Sequence, residues 1–327
     1  MNLPRVSALF STFNRAPLLR KALEGLLHQT LHRDEFEVIV VDDGSSDDTG
    51  SVVREFEPLL QVKYMFQENM GLAAGKNTAL HLAQAPLVVF MDDDDIPAPN
   101  LLEEHLAAHL KYPEEFYAVL GHTNLDEGIS NDFLMHYITQ IGCFLFCYPR
   151  IQHDEILDYT YFWGGRSSCK KDFLIKNGIF DPIFKFGCED IELGYRLSRY
   201  GLKVVYNRNA LSTMIRKISL LEFCKRAEKQ GFSNFIFSQM HPTKEVEAWC
   251  MTQNIVTDWE TLGKHHAILM KSALDLDEIA RIRKNNGLEL DETTTHLLHQ
   301  SYLNSINAHR IKGSYEAKMS SVCNELQ

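Results

Sequence analysis

Four consecutive aspartates follow an apolar run in the segment "LVVFMDDDDIP", residues 87–97. The apolar half is typical of a buried strand, and adjacent carboxylates require water, a proton or a cation. Because alternate residues of a strand share a face, Asp92 and Asp94 are expected to point together and Asp93 to point away. Asp95 is expected to support the following turn. Oxygen ligands of this kind suit Mg²⁺ or Mn²⁺, so the segment predicts a divalent-metal site, with a solvated acidic loop as the alternative.

Two other apolar runs also end in polar residues. "RVSALF" runs into "STFNR", Ser11 to Arg15, and "FEVIVV" runs into Asp42 and Asp43 of "DDGSSDD". In an open parallel sheet, ligands bind at the edge where the strands have their carboxyl ends. The three strand ends therefore predict one shared site.

Strand-like and helix-like segments alternate through the first half of the chain. "VKYMFQ" and "PLVVFM" are apolar and β-branched, and intervening stretches such as "APLLRKALEGLLHQT" have apolar residues at helical spacing. This alternation predicts an α/β fold with a mostly parallel sheet flanked by helices. Residues 121–163 are expected to be irregular. Helical patterns dominate later, so we predict one domain over residues 1–215 and a helical C-terminal region over residues 216–327.

Five segments resemble, in order and spacing, the inverting family 2 glycosyltransferases, which have a GT-A fold. They are "STFNR", "VVDDGSSDDT", "NMGLAAGKNTAL", "FMDDDDIPAPNLLE" and "GIFDPIFKFGCEDIELGYRLSRYG". Each motif alone is common, and the five together make the resemblance specific. It covers residues 4–215 and implies a Rossmann-like GT-A catalytic domain over residues 1–215. The implied ligands are a nucleotide-diphosphate sugar, expected to be a UDP-sugar, and Mn²⁺ or Mg²⁺.

The resemblance also implies a role for individual residues. The residues implied to contact the donor nucleotide are Ser11, Thr12, Phe13, Asn14, Arg15, Asp42, Lys76, Asp92 and Asp93. Asp42 would hold the nucleobase. Lys76, where the family usually has Arg, would offset phosphate charge, or it is a solvated lysine. Asp92 and Asp94 match the ends of the family's DxD motif, so Asp94 would contact the metal, and Asp92 the ribose or the metal.

A second acidic pair, Glu189 and Asp190, lies in "CEDIELGYRL". An inverting transfer needs a base that removes a proton from the acceptor hydroxyl. The hydroxyl oxygen then attacks C1 of the donor sugar from the face opposite the phosphate. The resemblance implies that Asp190 is this catalytic base, with Glu189 beside it. The alternative is that the two acids only favour the start of a helix, and both roles can coexist.

The segment "WGGRSS" stands where the family has a Gly-rich turn near the donor sugar and acceptor. The resemblance implies sugar or acceptor contacts for Trp163, Gly164, Gly165 and Arg166. Glycine permits close backbone approach, and Trp163 either stacks on a sugar ring or packs in the core. The chain departs from the family at Arg166, where Asn is common.

A second departure follows the strand "LKVVYN", where many relatives have a His that helps to bind the metal or the diphosphate. Here Met214 stands roughly at that position, and a thioether is a poor ligand for Mg²⁺. His241, in "QMHP", is the other candidate to complete the metal site.

Charge and cysteine content narrow the class of protein. Residues 211–327 hold 14 Lys and Arg and 14 Asp and Glu, so the whole net charge of −11 lies in residues 1–210. This argues against nucleic-acid binding there. The N-terminus shows no signal-peptide pattern. Seven scattered cysteines form no zinc pattern, so reduced thiols in a cytoplasmic protein are expected: Cys143, Cys147, Cys169, Cys188, Cys224, Cys250 and Cys323.

The helical tail has two open interpretations. Its basic segments "IRK" (with Arg216 and Lys217), "CKRAEK" and "RIRKNN" are either solvated or contact anionic lipid at the inner membrane face. Its apolar stripes form a core or a homo-oligomer interface.

The sequence thus predicts a metal-dependent inverting glycosyltransferase of the hexosyltransferase type. It would transfer a sugar to a carbohydrate, lipid-linked or protein acceptor. A nucleotidyltransferase is one alternative, although "FSTFNRAP" is not the Gly-rich, basic phosphate loop that such an enzyme usually carries. A non-catalytic nucleotide-sugar binding module is the other, although it would not need Glu189 and Asp190.

Overall fold

The computed structural model describes residues 3–320, and its strands form one nine-stranded sheet. The strands are β1 (Val6–Thr12), β2 (Phe36–Asp42), β3 (Val62–Phe66), β4 (Leu87–Met91), β5 (Asp95–Pro97), β6 (Tyr117–Leu125), β7 (Ile156–Leu157), β8 (Ser167–Lys170) and β9 (Lys203–Met214). They lie in the order β3-β2-β1-β4-β8-β6-β9-β5, and β7 pairs with β9.

The helices fall into an earlier and a later group along the chain. The earlier helices are α1 (Ala16–Leu26), α2 (Thr49–Phe56), α3 (Leu72–Leu82), α4 (Leu101–Lys111), α5 (Glu127–Ser130), α6 (Phe133–His136), α7 (Lys171–Asn177) and α8 (Glu189–Ser198). The later helices are α9 (Leu220–Met240), α10 (Lys244–Cys250), α11 (Ile255–Thr261), α12 (His266–Asn285) and α13 (Glu292–Met319).

Strands β1 to β4 form a parallel half-sheet. All seven residues of β2 and all five of β4 are buried, as expected for a sheet covered on both faces. Burial of each large aliphatic side chain contributes roughly 1.5–3 kcal/mol to stability. Since the strands are parallel, β1, β2 and β4 have their carboxyl ends at one edge.

The second half of the sheet is mixed. Strand β8 lies antiparallel between β4 and β6, and β6 pairs in parallel with β9. The prediction that residues 121–163 are irregular is wrong for the end of β6, which continues to Leu125. Its segment "GHTNL" lacks an apolar pattern, but the pairing with β9 continues through it after a register shift beyond Leu120. The predicted α/β sheet flanked by helices, with further helices towards the C-terminus, is confirmed.

The chain divides into two compact units. The first comprises the residues up to Ile129, Tyr148–Lys185 and Glu189–Arg216. The second comprises Ser130–Cys147, Phe186–Cys188 and the residues from Lys217 onward. Two short segments from the first two thirds of the chain therefore join the helical tail.

Close packing of α9 against α13 organises the second unit. A methyl group at Gly231 would come within 1.9 Å of the Arg310 carbonyl oxygen, and one at Gly313 within 1.8 Å of the Glu228 carbonyl oxygen. Small residues at a helix crossing let the backbones approach, so this pairing requires both glycines. A capping box of Ser219 and Glu222 begins α9 and contributes about 1 kcal/mol.

None of the helices within residues 3–320 has the length and apolar character needed to cross a membrane. The six cysteines in this range are free thiols. Cys323 lies outside the described residues.

Candidate functional site

The predicted site residues of the first unit gather at the carboxyl ends of the parallel strands. Strand β1 ends at Thr12, β2 at Asp42, and β4 at Met91, directly before the four aspartates. The Thr12 hydroxyl donates to Asp93 Oδ2 at 2.6 Å, so the end of β1 is bonded to the acidic segment. The strand pattern of the sequence had predicted this convergence.

The four aspartates do not alternate as predicted. Strand β4 ends at Met91, and a turn follows, so the alternation of a strand does not extend into the acidic segment. Asp93 and Asp94 lie 2.7 and 3.5 Å from the same nitrogen of Arg15. Asp92 and Asp95 lie 2.9 and 3.2 Å from the same nitrogen of Arg166. The aspartates are thus divided between two arginines, and Asp92 and Asp94 have different partners.

The acidic segment is suited to a divalent ion. Burial, followed by the charges of Asp92, Asp95 and Asp93, raises the pKa of Asp94 to about 7. A cation next to Asp94 would relieve this repulsion. Within residues 3–320 no three metal-ligating side chains form a cluster. Mg²⁺ and Mn²⁺ in nucleotide sites are commonly held by one or two carboxylates, with phosphate oxygens and water completing the ligand set, so Asp94 fits such an ion without a larger cluster.

The loop after β1 is bonded to the loop after β2. Asn14 has a positive φ of 54°, its amide donates to Ser45 Oγ, and its side-chain oxygen accepts from the Ser46 amide. The Ala16 amide donates to Asp47 Oδ2 at 2.9 Å. Phe13, in the same loop, is 48% exposed. The two loops form one surface from which Phe13 protrudes.

Ser11 and Asp42, at the ends of β1 and β2, are packed against neighbouring residues. The Ser11 hydroxyl is packed against Gly75 of α3, where a methyl group would come within 2.1 Å. Asp42 is buried and accepts hydrogen bonds from the Ser45 amide and the Tyr64 hydroxyl, each at 2.8 Å. Burial and the Asp42 carboxylate raise the pKa of Tyr64 to about 12. Asp42 is thus held in position by two donors.

The second acidic pair lies at the start of α8. Glu189 is buried and lies 2.8 Å from the Lys76 ammonium, which is itself only 7% exposed. Although burial opposes its charge, the carboxylates of Glu189, Asp190 and Asp92 raise the pKa of Lys76. Of the two open interpretations of Lys76, the solvated one is therefore wrong.

Two backbone amides orient the Asp190 carboxylate. Gly164 donates to Oδ2 and Ile191 donates to Oδ1, each at 2.8 Å. Burial and the adjacent Glu189 charge raise the pKa of Asp190 to about 6, although Lys76 opposes this shift. A carboxylate with a pKa near 6 is ionised at neutral pH and basic enough to accept a proton.

Gly164 and Gly165 bring the two acidic centres together. A methyl group at Gly164 would lie 2.5 Å from the Lys76 ammonium and 3.1 Å from Asp190 Cβ. One at Gly165 would lie 2.1 Å from Asp92 Oδ1. The Asp92 amide also donates to the Gly165 carbonyl at 3.0 Å. A methyl group at either position would require the Lys76 ammonium, the Asp190 side chain or the Asp92 carboxylate to move.

Gly165→Ala is expected to lower the melting temperature by about 5 °C, because the new methyl group overlaps the Asp92 carboxylate and overpacking costs about 1–3 kcal/mol. Thermal unfolding followed by circular dichroism measures the change. Gly128→Ala is the matched control, since a methyl group there meets only one oxygen of Asp126, at 3.1 Å. Equal melting temperatures for the two variants would contradict the proposed overlap.

Trp163 belongs to an aromatic cluster next to this turn. Its ring is stacked with Tyr161 at 5.6 Å and meets the edge of Tyr148 at 5.4 Å. The indole nitrogen donates to the Thr160 carbonyl at 2.9 Å. Trp163 is partly exposed, so it both packs in this cluster and presents some surface to solvent.

The structure does not place a histidine at the acidic segment from either expected position. Met214 is buried in β9, with Asp95 as its cross-strand neighbour. His241 lies in the second unit, where its ring packs against Phe237. Arg216 extends from the end of β9 to 3.8 Å from Asp94 Oδ2. The chain thus has a cation near the position where relatives were expected to have a histidine.

Sequence reasoning missed three residues of the site. It assigned Arg216 to a surface basic patch, and it did not single out Thr123 or Ser212. Both hydroxyls donate to Asp95 Oδ2 at 3.0 Å. The β6–β9 pairing places them opposite each other, and no local sequence signal shows this.

Comparisons with known proteins point to one family. The model of the family described as glycosyl transferase family 2 matches residues 7–169. The validoxylamine A glucosyltransferase of Streptomyces hygroscopicus subsp. jinggangensis is 33% identical over 236 residues, which are 64% of this chain and 55% of that protein. The chain therefore spans about half the length of this curated relative.

Two solved structures have the same fold. The mannosyltransferase PcManGT of Pyrobaculum calidifontis, in complex with GDP-Man and Mn²⁺, has a TM-score of 0.60 at 21% identity, covering 97% of this chain and 88% of that one. TarS residues 1–349 of S. aureus, in complex with UDP-GlcNAc, has a TM-score of 0.54 at 16% identity, covering 96% and 92%. These likenesses confirm the predicted GT-A fold.

Proposed function

Because the chain belongs to glycosyl transferase family 2, we propose that it is a metal-dependent inverting glycosyltransferase. It moves a sugar from a nucleotide-diphosphate donor to an acceptor hydroxyl. The observation that carries this proposal is the close approach of two acidic centres, Asp92 to Asp95 and Glu189 to Asp190, across Gly164 and Gly165. No feature of the site favours a nucleotidyltransferase or a non-catalytic binding module.

The donor nucleotide binds on the surface formed by the loops after β1 and β2. Asp42, held by Ser45 and Tyr64, contacts the nucleobase, and the exposed Phe13 covers it. Ser11, Thr12 and Asn14 shape this surface through the contacts described above. Arg15, 36% exposed, lies close enough to the acidic segment to meet a phosphate.

Asp94 is the carboxylate that would hold Mn²⁺ or Mg²⁺, and Asp92, beside it, is the candidate to contact either the ribose or the ion. The bound ion would stabilise the negative charge that develops on the departing diphosphate. Lys76 adds a fixed positive charge between the acidic centres, where it is paired with Glu189. Asp93 acts indirectly, because it holds Thr12 and Arg15 in place.

Asp190 is the base. Its carboxylate removes the proton of the acceptor hydroxyl, the freed oxygen attacks the anomeric carbon, and the bond to the diphosphate breaks on the opposite face. The Gly164 and Ile191 amides fix the orientation of the Asp190 carboxylate by hydrogen bonds. Burial and the Glu189 charge raise the proton affinity of Asp190. Trp163 supplies a surface for a sugar ring. The backbone of Gly164, Gly165 and Arg166 passes close to the reacting groups.

A donor panel tests the proposal. Purified protein is incubated with UDP-glucose, UDP-GlcNAc or GDP-mannose in Mn²⁺ or in EDTA, and release of the nucleoside diphosphate is measured. The name of the curated glucosyltransferase makes UDP-glucose the first donor to test. We expect Mn²⁺-dependent release from one donor, and a rise in melting temperature with that donor. Neither release nor stabilisation with any donor would contradict the proposal.

The pH dependence follows from Asp190. Its pKa is raised to about 6, and a base acts only when ionised, so kcat/KM is expected to fall about tenfold per pH unit below pH 6. The decrease in kcat/KM becomes larger as the pH falls, because protonation of Asp190 removes the catalytic base. Initial rates from pH 4.5 to 8 with saturating Mn²⁺ measure it. A flat profile below pH 6 would mean that another group accepts the proton.

The acceptor is a carbohydrate, lipid-linked or protein hydroxyl, and we propose that transfer occurs in the cytoplasm. The free thiols among residues 3–320 are consistent with a reducing compartment. Peripheral contact of the helical tail with a membrane and self-association remain proposals for its exposed helices.

A further inference from the structure

Arg166 is largely buried against the acidic segment. Its side chain is only 13% exposed, and one guanidinium nitrogen lies 2.9 Å from Asp92 Oδ2 and 3.2 Å from Asp95 Oδ2. Its Nε donates to Thr123 Oγ1 at 2.9 Å. The guanidinium therefore lies between two carboxylates of the acidic segment, at a position where the family resemblance implies an uncharged Asn.

The surrounding bonds hold this arginine in place. Asp95 Oδ2 also accepts from Thr123 and Ser212, so the carboxylate that Arg166 binds is itself fixed. The Gly121 amide donates to the Arg166 carbonyl at 2.9 Å. Asp95 is 2% exposed, and removing its arginine would leave a buried carboxylate with less compensation, at a high free-energy cost. Displacement of Arg166 during each catalytic cycle is therefore unfavourable.

Charge compensation differs among the four aspartates. Arg166 lies within hydrogen-bond distance of Asp92 and Asp95, and Arg15 lies 2.7 Å from Asp93. The cations nearest to Asp94 are Arg15 at 3.5 Å and Arg216 at 3.8 Å, beyond a good charge-assisted hydrogen bond. Asp94 is thus the carboxylate of the segment with the weakest pairing.

We propose that Arg166 is a built-in cation. Its positive charge compensates the negative charges of Asp92 and Asp95, a role that a divalent ion would otherwise have. Asp94 is then the carboxylate left for the metal, and Asp92 serves to position Arg166 rather than to bind the ion. Arg166 is a positioning residue in this account. The inference rests on the proposed function, because it concerns the ion of that same site, and it narrows the metal contact to Asp94.

Removal of the guanidinium should turn the space between Asp92 and Asp95 into a cation site. Arg166→Met keeps the length of the side chain and removes its charge. Without nucleotide, Mn²⁺ is expected to bind this variant about tenfold more tightly than the wild type, since one competing positive charge is gone. Mn²⁺ should also raise the variant's melting temperature more than the wild type's. Mn²⁺ binding is measured by electron paramagnetic resonance of the free ion.

Two controls separate this effect from a merely structural one. Arg166→Lys keeps a cation and should show the Mn²⁺ affinity of the wild type. Arg196→Met breaks another arginine–carboxylate pair, with the buried Glu192 at 2.7 Å, outside the acidic segment. It should lower the melting temperature with no gain in Mn²⁺ binding. Unchanged Mn²⁺ affinity in Arg166→Met, or an equal gain in Arg196→Met, would overturn the inference.

A second variant keeps the test valid if Arg166→Met does not fold. Asp92→Asn retains an oxygen that can accept from Arg166, and it should leave Mn²⁺ binding in the presence of UDP within about threefold of the wild type. A loss as large as that of Asp94→Asn would overturn the inference. If wild-type protein binds no Mn²⁺ with UDP while Arg166→Met binds Mn²⁺ alone, the metal dependence of the proposed function and the metal contact of Asp94 both fail, and the charge-compensating role of Arg166 stands.

Discussion

Asp190→Asn is expected to lower kcat for sugar transfer by about 10³-fold while donor binding stays within about twofold. The amide side chain has nearly the same shape, and its oxygen can still accept from the Gly164 or Ile191 amide. It cannot take a proton from the acceptor hydroxyl. Single-turnover kinetics with the best donor measure the step, and isothermal titration with UDP and Mn²⁺ measures binding.

A matched variant addresses the alternative that Asp190 only favours the start of its helix. Asp172 occupies the first turn of α7 as Asp190 occupies that of α8, but Asp172 is exposed. Asp172→Asn should leave kcat unchanged and should lose only the modest stability of a first-turn acid, about 0.5 kcal/mol. If Asp190→Asn shows the same small loss of stability with unchanged kcat, Asp190 is a helix-capping residue and the mechanism is wrong.

Asp94→Asn is expected to weaken Mn²⁺ binding in the presence of UDP by about 100-fold and to lower transfer at least as much. The carboxylate is buried beside Asp92, Asp93 and Asp95, and its pKa of about 7 reflects burial and their repulsion. The amide carries no charge to attract the ion. Electron paramagnetic resonance of Mn²⁺ measures the affinity, and release of UDP in the same samples measures turnover.

The control for this variant is Asp34→Asn, whose side chain is 82% exposed. Asp34→Asn changes the net charge of the protein by the same amount as Asp94→Asn, but at an exposed position outside the acidic segment. Mn²⁺ binding and turnover should therefore be unaffected. The two variants together separate a local ligand from the general acidity of the chain. Retained Mn²⁺ affinity in Asp94→Asn would require a different metal site.

The sequence was sufficient to predict the strand ends that build the site. Buried apolar strands such as β2 have a local signal, and parallel pairing then brings their polar ends together. The alternation expected for the aspartates failed because β4 ends at Met91, before the acidic segment begins. The boundary of a strand depends on its neighbours in the sheet, and a continuous apolar run does not specify where pairing stops.

The sequence could not predict which carboxylate each arginine of the site contacts. Arg15 meets Asp93 across 78 positions of the chain, and Arg166 meets Asp92 across 74. Arg216 looked like part of a solvated basic run, yet it extends from β9 towards Asp94. Such pairs depend on the register between distant strands, and one sequence contains no signal for that register. The carboxylates were recognisable by their clustering. Arg15 and Arg166 were assigned to the site through the family resemblance alone, and their carboxylate partners were not predicted.

The anomeric configuration of the first product distinguishes an inverting from a retaining transfer. Attack by a hydroxyl activated by Asp190, on the face opposite the departing diphosphate, inverts the anomeric carbon. With the α-linked donor UDP-glucose, or whichever α-linked donor the panel identifies, proton NMR of the product formed in the first minutes should show a β-linked sugar. An α-linked product would show retention and would contradict a single displacement with Asp190 as the base.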